Sequence, residues 1–157
     1  MDDLSIYETG SGGDLELRGN DIAGSSGLFS MVYMAFFGGN TEASTTGNEI
    51  DSELRNDWFG NSLLFDDQPE IQFNSHLERA LNETALNSQG RITIERAAKM
   101  DLEFMKDLAN ISVDVSIISD HRVQIDVRIQ EPENLQQKDF QIIWDNLESE
   151  IIIQKSF

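Results

Sequence analysis

The sequence predicts a small α+β domain: two layers, a helix pair against an antiparallel β-hairpin or sheet, with an apolar helix near the N-terminus. Three observations lead there. Ile111, Val113, Val115 and Ile117 alternate with polar residues, as do Val123, Ile125, Val127 and Ile129, and a period of two gives a strand one apolar face. Upstream, Leu77, Ala80 and Leu81, then Ile94, Ala97, Ala98, Leu102 and Met105, recur at the three- and four-residue spacing of an amphipathic helix. The chain has 157 residues, room for one modest core, so residues 1–157 are expected to form a single domain.

The elements follow in order. Ser5-Ile6-Tyr7, a Gly-rich turn and Asp14 to Gly19 alternate as short half-buried strands do, which predicts a small edge hairpin. Ser25 and Ser26 can cap a helix over about Gly27 to Phe37, and Gly38-Gly39 can end it in the left-handed conformation. That helix carries Leu28, Phe29, Met31, Val32, Tyr33, Met34, Phe36 and Phe37. It needs cover from its own domain or from another subunit, and in so short a chain the second option gains weight. Residues 39–50 have the composition of a mobile loop. Ser75-His76-Leu77-Glu78 has the form of a capping box opening one helix, and a second is expected from about Thr93 to Ala109. Ser119 to Arg122 joins the two alternating strands as a hairpin. Past Pro132, residues 138–157 form an expected interaction segment: Phe140 to Asp145, then Glu150 to Gln154, whose apolar end can join its own sheet or pair with another subunit. No internal repeat is expected.

Charge narrows the function. The chain has a formal net charge of −18, and in residues 1–74 fourteen acidic side chains stand against Arg18 and Arg55 alone. Such a surface repels nucleic-acid phosphates and anionic lipid. The apolar stretch Leu28 to Phe37 is too short to span a bilayer, and Met1-Asp2-Asp3 does not open a secretory signal, so synthesis in the cytoplasm is expected. There is no cysteine, hence no thiolate nucleophile or disulfide framework.

Motifs for chemistry are weak. Glu131 before Pro132 reads as a strand-terminal loop residue, and His76 and His121 lack metal-ligand spacing. No G-x-S-x-G elbow accompanies them. No acidic stretch has the calcium-loop pattern, and Gly10 to Gly13 is not followed by the Lys-Ser/Thr of a phosphate cradle. No catalytic residue, metal or cofactor is expected. Trp58 and Phe59 place two large apolar side chains in a polar segment, suited to a core or to a partner's pocket.

One resemblance covers nearly the whole chain. Gly13-Asp14-Leu15, Asn20-Asp21-Ile22, the apolar helix starting at Gly27-Leu28, Asp57-Trp58-Phe59-Gly60-Asn61 and Asp139-Phe140 through Trp144-Asp145 resemble, in order and spacing, the Mu-like phage baseplate wedge family. The sequence departs from that family's pattern at Phe59, often Trp, and at Asn61, often Asp. The resemblance implies a structural, non-enzymatic subunit of a contractile tail, found in the virion and in host cytoplasm during assembly. Its implied partners are larger wedge proteins, the sheath protein and the central hub or tube proteins, in a six-fold symmetric hetero-oligomer that supports the first sheath ring. The residues expected at partner interfaces are Leu28, Met31, Val32, Phe36, Trp58, Phe59, Phe140, Trp144, Ile151, Ile152 and Ile153. Some members of the wider family are labelled lysozyme-like, which makes peptidoglycan hydrolysis the alternative.

Overall fold

The structure is a computed structural model that describes residues 2–8, 13–39, 63–65, 67–68, 72–132 and 137–156. Trp58, Phe59 and residues 40–50 of the expected loop lie outside the described residues, as does the side chain of Ile153.

The protein is α+β. Short strands β1 (Asp2–Leu4), β2 (Ile6–Glu8), β3 (Gly13–Leu15), β4 (Leu17–Arg18), β5 (Asp21–Ile22) and β6 (Gly24–Ser26) precede helix α1 (Gly27–Phe37). Helices α2 (His76–Glu83) and α3 (Ser88–Asp101) and a 3₁₀ turn (Glu103–Asp107) follow, then strands β7 (Asn110–Ser119), β8 (Arg122–Gln130), β9 (Gln137–Asp145) and β10 (Glu150–Ser156). The last four form one antiparallel sheet in the order β10-β9-β8-β7. Val113 faces Val127 and Val115 faces Ile125, so the two alternating runs put their apolar side chains on one face. The terminal strand pairs with β9, placing Ile151 opposite Trp144. Of the two options open to it, it takes its own sheet.

The apolar sheet face meets the helices in one core. Val115, Val123, Ile125, Val127, Ile129, Phe140 and Ile142 lie against Val32 and Phe36 of α1, Leu77 and Leu81 of α2, and Ile94 and Ala98 of α3. Phe29 stacks on Phe140 with ring centroids 6.0 Å apart. No residue of α1 is exposed. The cover that its composition demands therefore comes from its own chain, and the weight given to another subunit is corrected.

Several local expectations also change. Ser75 does not cap α2. It adopts a left-handed conformation (φ 44°) with no side-chain capping bond, and its Oγ instead accepts the Gly39 amide at 2.6 Å. Gly38 and Gly39 are not left-handed, since Gly19 is the one described glycine with positive φ. They are small for steric reasons: a Cβ on Gly39 would lie 2.5 Å from both the Phe73 carbonyl oxygen and the Ser75 nitrogen. The second helix opens at Ser88, where the Asn87 side chain accepts the amides of Gln89 and Gly90, and closes at Asp101.

At the β8–β9 corner, Arg122 Nε donates to Asp145 Oδ2 at 2.8 Å, and the Leu147 amide donates to Oδ1 at 3.0 Å. The Arg122 bond, foremost among several, holds the Asp145 carboxyl below its ordinary value of 3.8. A lowered carboxyl contributes stability that is present above the unfolded value and lost as pH falls through the folded one. Asp145→Asn is therefore expected to flatten the acid limb of the stability profile, read by urea unfolding between about pH 2 and 5. An unchanged acid limb would mean that the Arg122 contact contributes nothing.

Candidate interaction surface

The residues expected at interfaces divide once they are placed. Val32, Phe36, Phe140, Trp144 and Ile151 belong to the core, with Val32 and Phe36 wholly enclosed. Their assignment as contact residues is corrected: they are large and apolar because they fill the space between layers. Leu28 and Met31 are half-buried against the same core, and Ile152, at the register irregularity between Ile151 and Ile153, is exposed.

The strongest surface feature lies elsewhere, in the six N-terminal strands. They form three two-stranded ribbons, β1 with β6, β2 with β3 and β4 with β5. All three meet at a closed ring of backbone hydrogen bonds. The Ser5 amide donates to the Ala23 carbonyl at 2.8 Å, Ala23 to Glu16 at 2.8 Å, and Glu16 to Ser5 at 2.9 Å. Each strand segment changes partner at its ring residue, which gives a triangular junction of pseudo-threefold symmetry.

The sequence carries the same symmetry. Asp3-Leu4-Ser5, Asp14-Leu15-Glu16 and Asp21-Ile22-Ala23 occupy equivalent places, so the expectation of no internal repeat is corrected. In each triplet the aspartate Oδ1 accepts the amide of the next residue, at 2.8, 2.7 and 2.9 Å. Each carboxylate supplies a hydrogen bond to that neighbouring amide.

Cross-strand register puts the residues flanking the ring in three pairs: Leu4 with Gly24, Ile6 with Leu15, and Leu17 with Ile22. All lie one residue from a ring residue, so they share the face opposite Ser5, Glu16 and Ala23. Ala23 is buried, whereas Leu4, Leu15, Leu17 and Ile22 are 46%, 37%, 71% and 44% exposed. Polar Ser5 and Glu16, joined by a 2.8 Å bond from Ser5 Oγ, thus share the side of buried Ala23. The aliphatic side chains point outward, the inverse of an ordinary half-buried ribbon. The Ser5 bond and then Arg18 hold the Glu16 carboxyl below its ordinary value, so it stays charged. Ser30 Oγ donates to the Leu4 carbonyl at 3.0 Å and Gln154 Nε2 to the Ile6 carbonyl at 2.9 Å, clamping the triangle to α1 and to β10.

A concavity of about 670 Å³ runs beside α3, lined by His76, Arg91, Glu95, Arg96, Lys99 and Glu103 among others. His76 Nδ1 lies 2.7 Å from Asp101 Oδ1, and the amides of His76 and Leu77 donate to the two carboxylate oxygens at 3.0 and 2.7 Å. Burial, the largest influence, raises the Asp101 carboxyl above its ordinary value, against the pull of these donors. The cap of α2 is thus a buried aspartate from the end of α3. Glu95 is held below its ordinary value first by a hydrogen bond from Lys99, with Arg91 also in contact. His121 approaches Asp145 at 3.9 Å, and Glu131 pairs with Lys138 at 3.5 Å. Among the described residues no three His, Asp or Glu side chains converge as metal ligands would, and no helix is long and apolar enough to cross a membrane. No family model, curated protein or solved structure matches the chain.

Proposed function

We propose that the chain is a structural, non-enzymatic subunit of a contractile phage tail baseplate. It binds larger wedge proteins and the hub region in six-fold symmetry and provides the attachment platform for the first sheath ring. It is present in host cytoplasm during assembly and in the virion afterwards. The observation that carries this reading is the ordered string of motifs from Gly13 to Asp145 that resembles the Mu-like wedge family. The first two strings, Gly13-Asp14-Leu15 and Asn20-Asp21-Ile22, contribute to two arms of the triangular junction, which suits a contact role better than a catalytic one.

The non-enzymatic part draws support from the carboxylates. A glycoside hydrolase needs one carboxyl kept protonated beside the substrate and a second kept ionised at a set distance. Asp101, whose carboxyl burial raises above its ordinary value, is enclosed and engaged by three donors.

Co-expression with the larger wedge proteins of the same tail is expected to give a complex that survives size-exclusion chromatography. Elution of the chain alone would sink the reading. Release of soluble fragments from peptidoglycan, abolished by changing one carboxylate, would overturn the non-enzymatic part and favour the lysozyme-like alternative.

A further inference from the structure

We propose that the outward face of the N-terminal triangle is a docking surface for a different protein, and that the docked segment presents aliphatic side chains between lysines or arginines. The face consists of exposed Leu4, Leu15, Leu17 and Ile22 and half-buried Ile6, with Gly24 at the sixth position. Among the described residues, none of these five side chains belongs to the core cluster or packs against it. The ring residues exchange their own backbone hydrogen bonds, and the core is closed by the helices and the four-stranded sheet. Solvent-exposed ribbon positions are ordinarily polar, and an exposed apolar face of this kind marks a contact.

Charge selects the occupant. Residues 2–26 hold six acidic side chains and one basic one, Arg18. Exposed Asp3, Asp14 and Asp21 each directly precede one of the exposed aliphatic residues. A second copy of a chain with net charge −18 would bring like charges together around the contact, and nucleic acid and anionic membranes are repelled in the same way. A cationic and aliphatic segment satisfies both the face and its rim. The clamps from Ser30 and Gln154 hold the triangle in place before binding, which lowers the ordering cost of association. This inference stands on the surface alone, so its failure is separable from failure of the baseplate reading.

The test uses the full chain and two synthetic peptides of equal length, one alternating Leu with Lys and the other Leu with Glu, followed by fluorescence anisotropy. The Leu/Lys peptide is expected to bind, more weakly as salt rises. The double variant Leu17→Ser with Ile22→Ser keeps the net charge, so general attraction to an acidic protein persists. It is expected to weaken binding at least about tenfold through lost apolar burial. Leu17→Ser alone, at a side chain already 71% exposed, is expected to leave the melting temperature unchanged and weaken binding severalfold. Equal binding of the variants and the parent would overturn the proposal, leaving charge alone as the cause. Equal binding of the two peptides would overturn it as well, and so would self-association of the parent that the double variant abolishes.

Discussion

Phe36→Ala is expected to lower the unfolding free energy by about 3–5 kcal/mol, the usual cost of replacing a fully buried phenylalanine and leaving a cavity. Phe36 has no solvent exposure, meets the Phe37 ring edge-on at 6.2 Å and belongs to the cluster that joins α1 to the sheet. Urea denaturation of the isolated chain reads this as a lower midpoint with an unchanged slope. The result also decides between two roles for α1. If the helix were chiefly a contact for another subunit, the substitution would leave the free chain's midpoint where it was and weaken only assembly.

The second large effect is expected at Asp101. Its two oxygens accept the first amides of α2 and the His76 imidazole, so Asp101→Ala strips a buried helix end of its acceptors. Each buried donor left unpaired costs about 1–3 kcal/mol, so the two amides alone put the total at about 2–6 kcal/mol, a large share of a typical domain's stability. A midpoint shift below about 0.5 kcal/mol would show that water replaces the carboxylate freely. Asp101→Asn separates charge from shape. Because the folded chain holds this proton more tightly than the unfolded one, the stability due to protonation is fully present below 3.8. It is lost as pH rises through the raised folded value. The parent should therefore lose stability relative to Asp101→Asn across that interval, the opposite trend to Asp145.

What could be read from the sequence was what neighbours along the chain decide. The alternation of Val113 and Val115 with polar residues specified strand, face and register together, because a one-residue slip would turn Val123, Ile125 and Val127 into solvent. What escaped was decided between distant segments. Ser75-x-x-Glu78 has the local form of a capping box, yet the acceptor is Asp101, 25 residues from His76, and no local pattern encodes a cap supplied by another helix. The pinch at Gly39 likewise depends on Phe73 and Ser75, beyond the reach of a turn rule. Five of the expected contact residues lie in the core for a simpler reason. Phe140 and Trp144 are as apolar as a contact needs, and composition alone does not say which side of a strand faces a helix. The triangle was legible but unread. Asp-Leu/Ile-X recurs after 11 and then 7 residues, and uneven spacing hides a repeat whose symmetry exists only when the strands close on one another.

The bond from Gln154 to the Ile6 carbonyl spans 148 positions of the chain, and this separation sets an order of events. The ring joining Ser5, Glu16 and Ala23 is local and can close while the chain is still short. Its fastening to β10 waits until the last strand has been made and paired with β9. The clamp from Gln154 therefore cannot form before β10 is made, whereas the clamp from Ser30, 26 residues from Leu4, can. Hydrogen exchange at the Ser5, Glu16 and Ala23 amides would follow ring closure, while protection across β9 and β10 would time the moment at which the two ends of the described chain become one body.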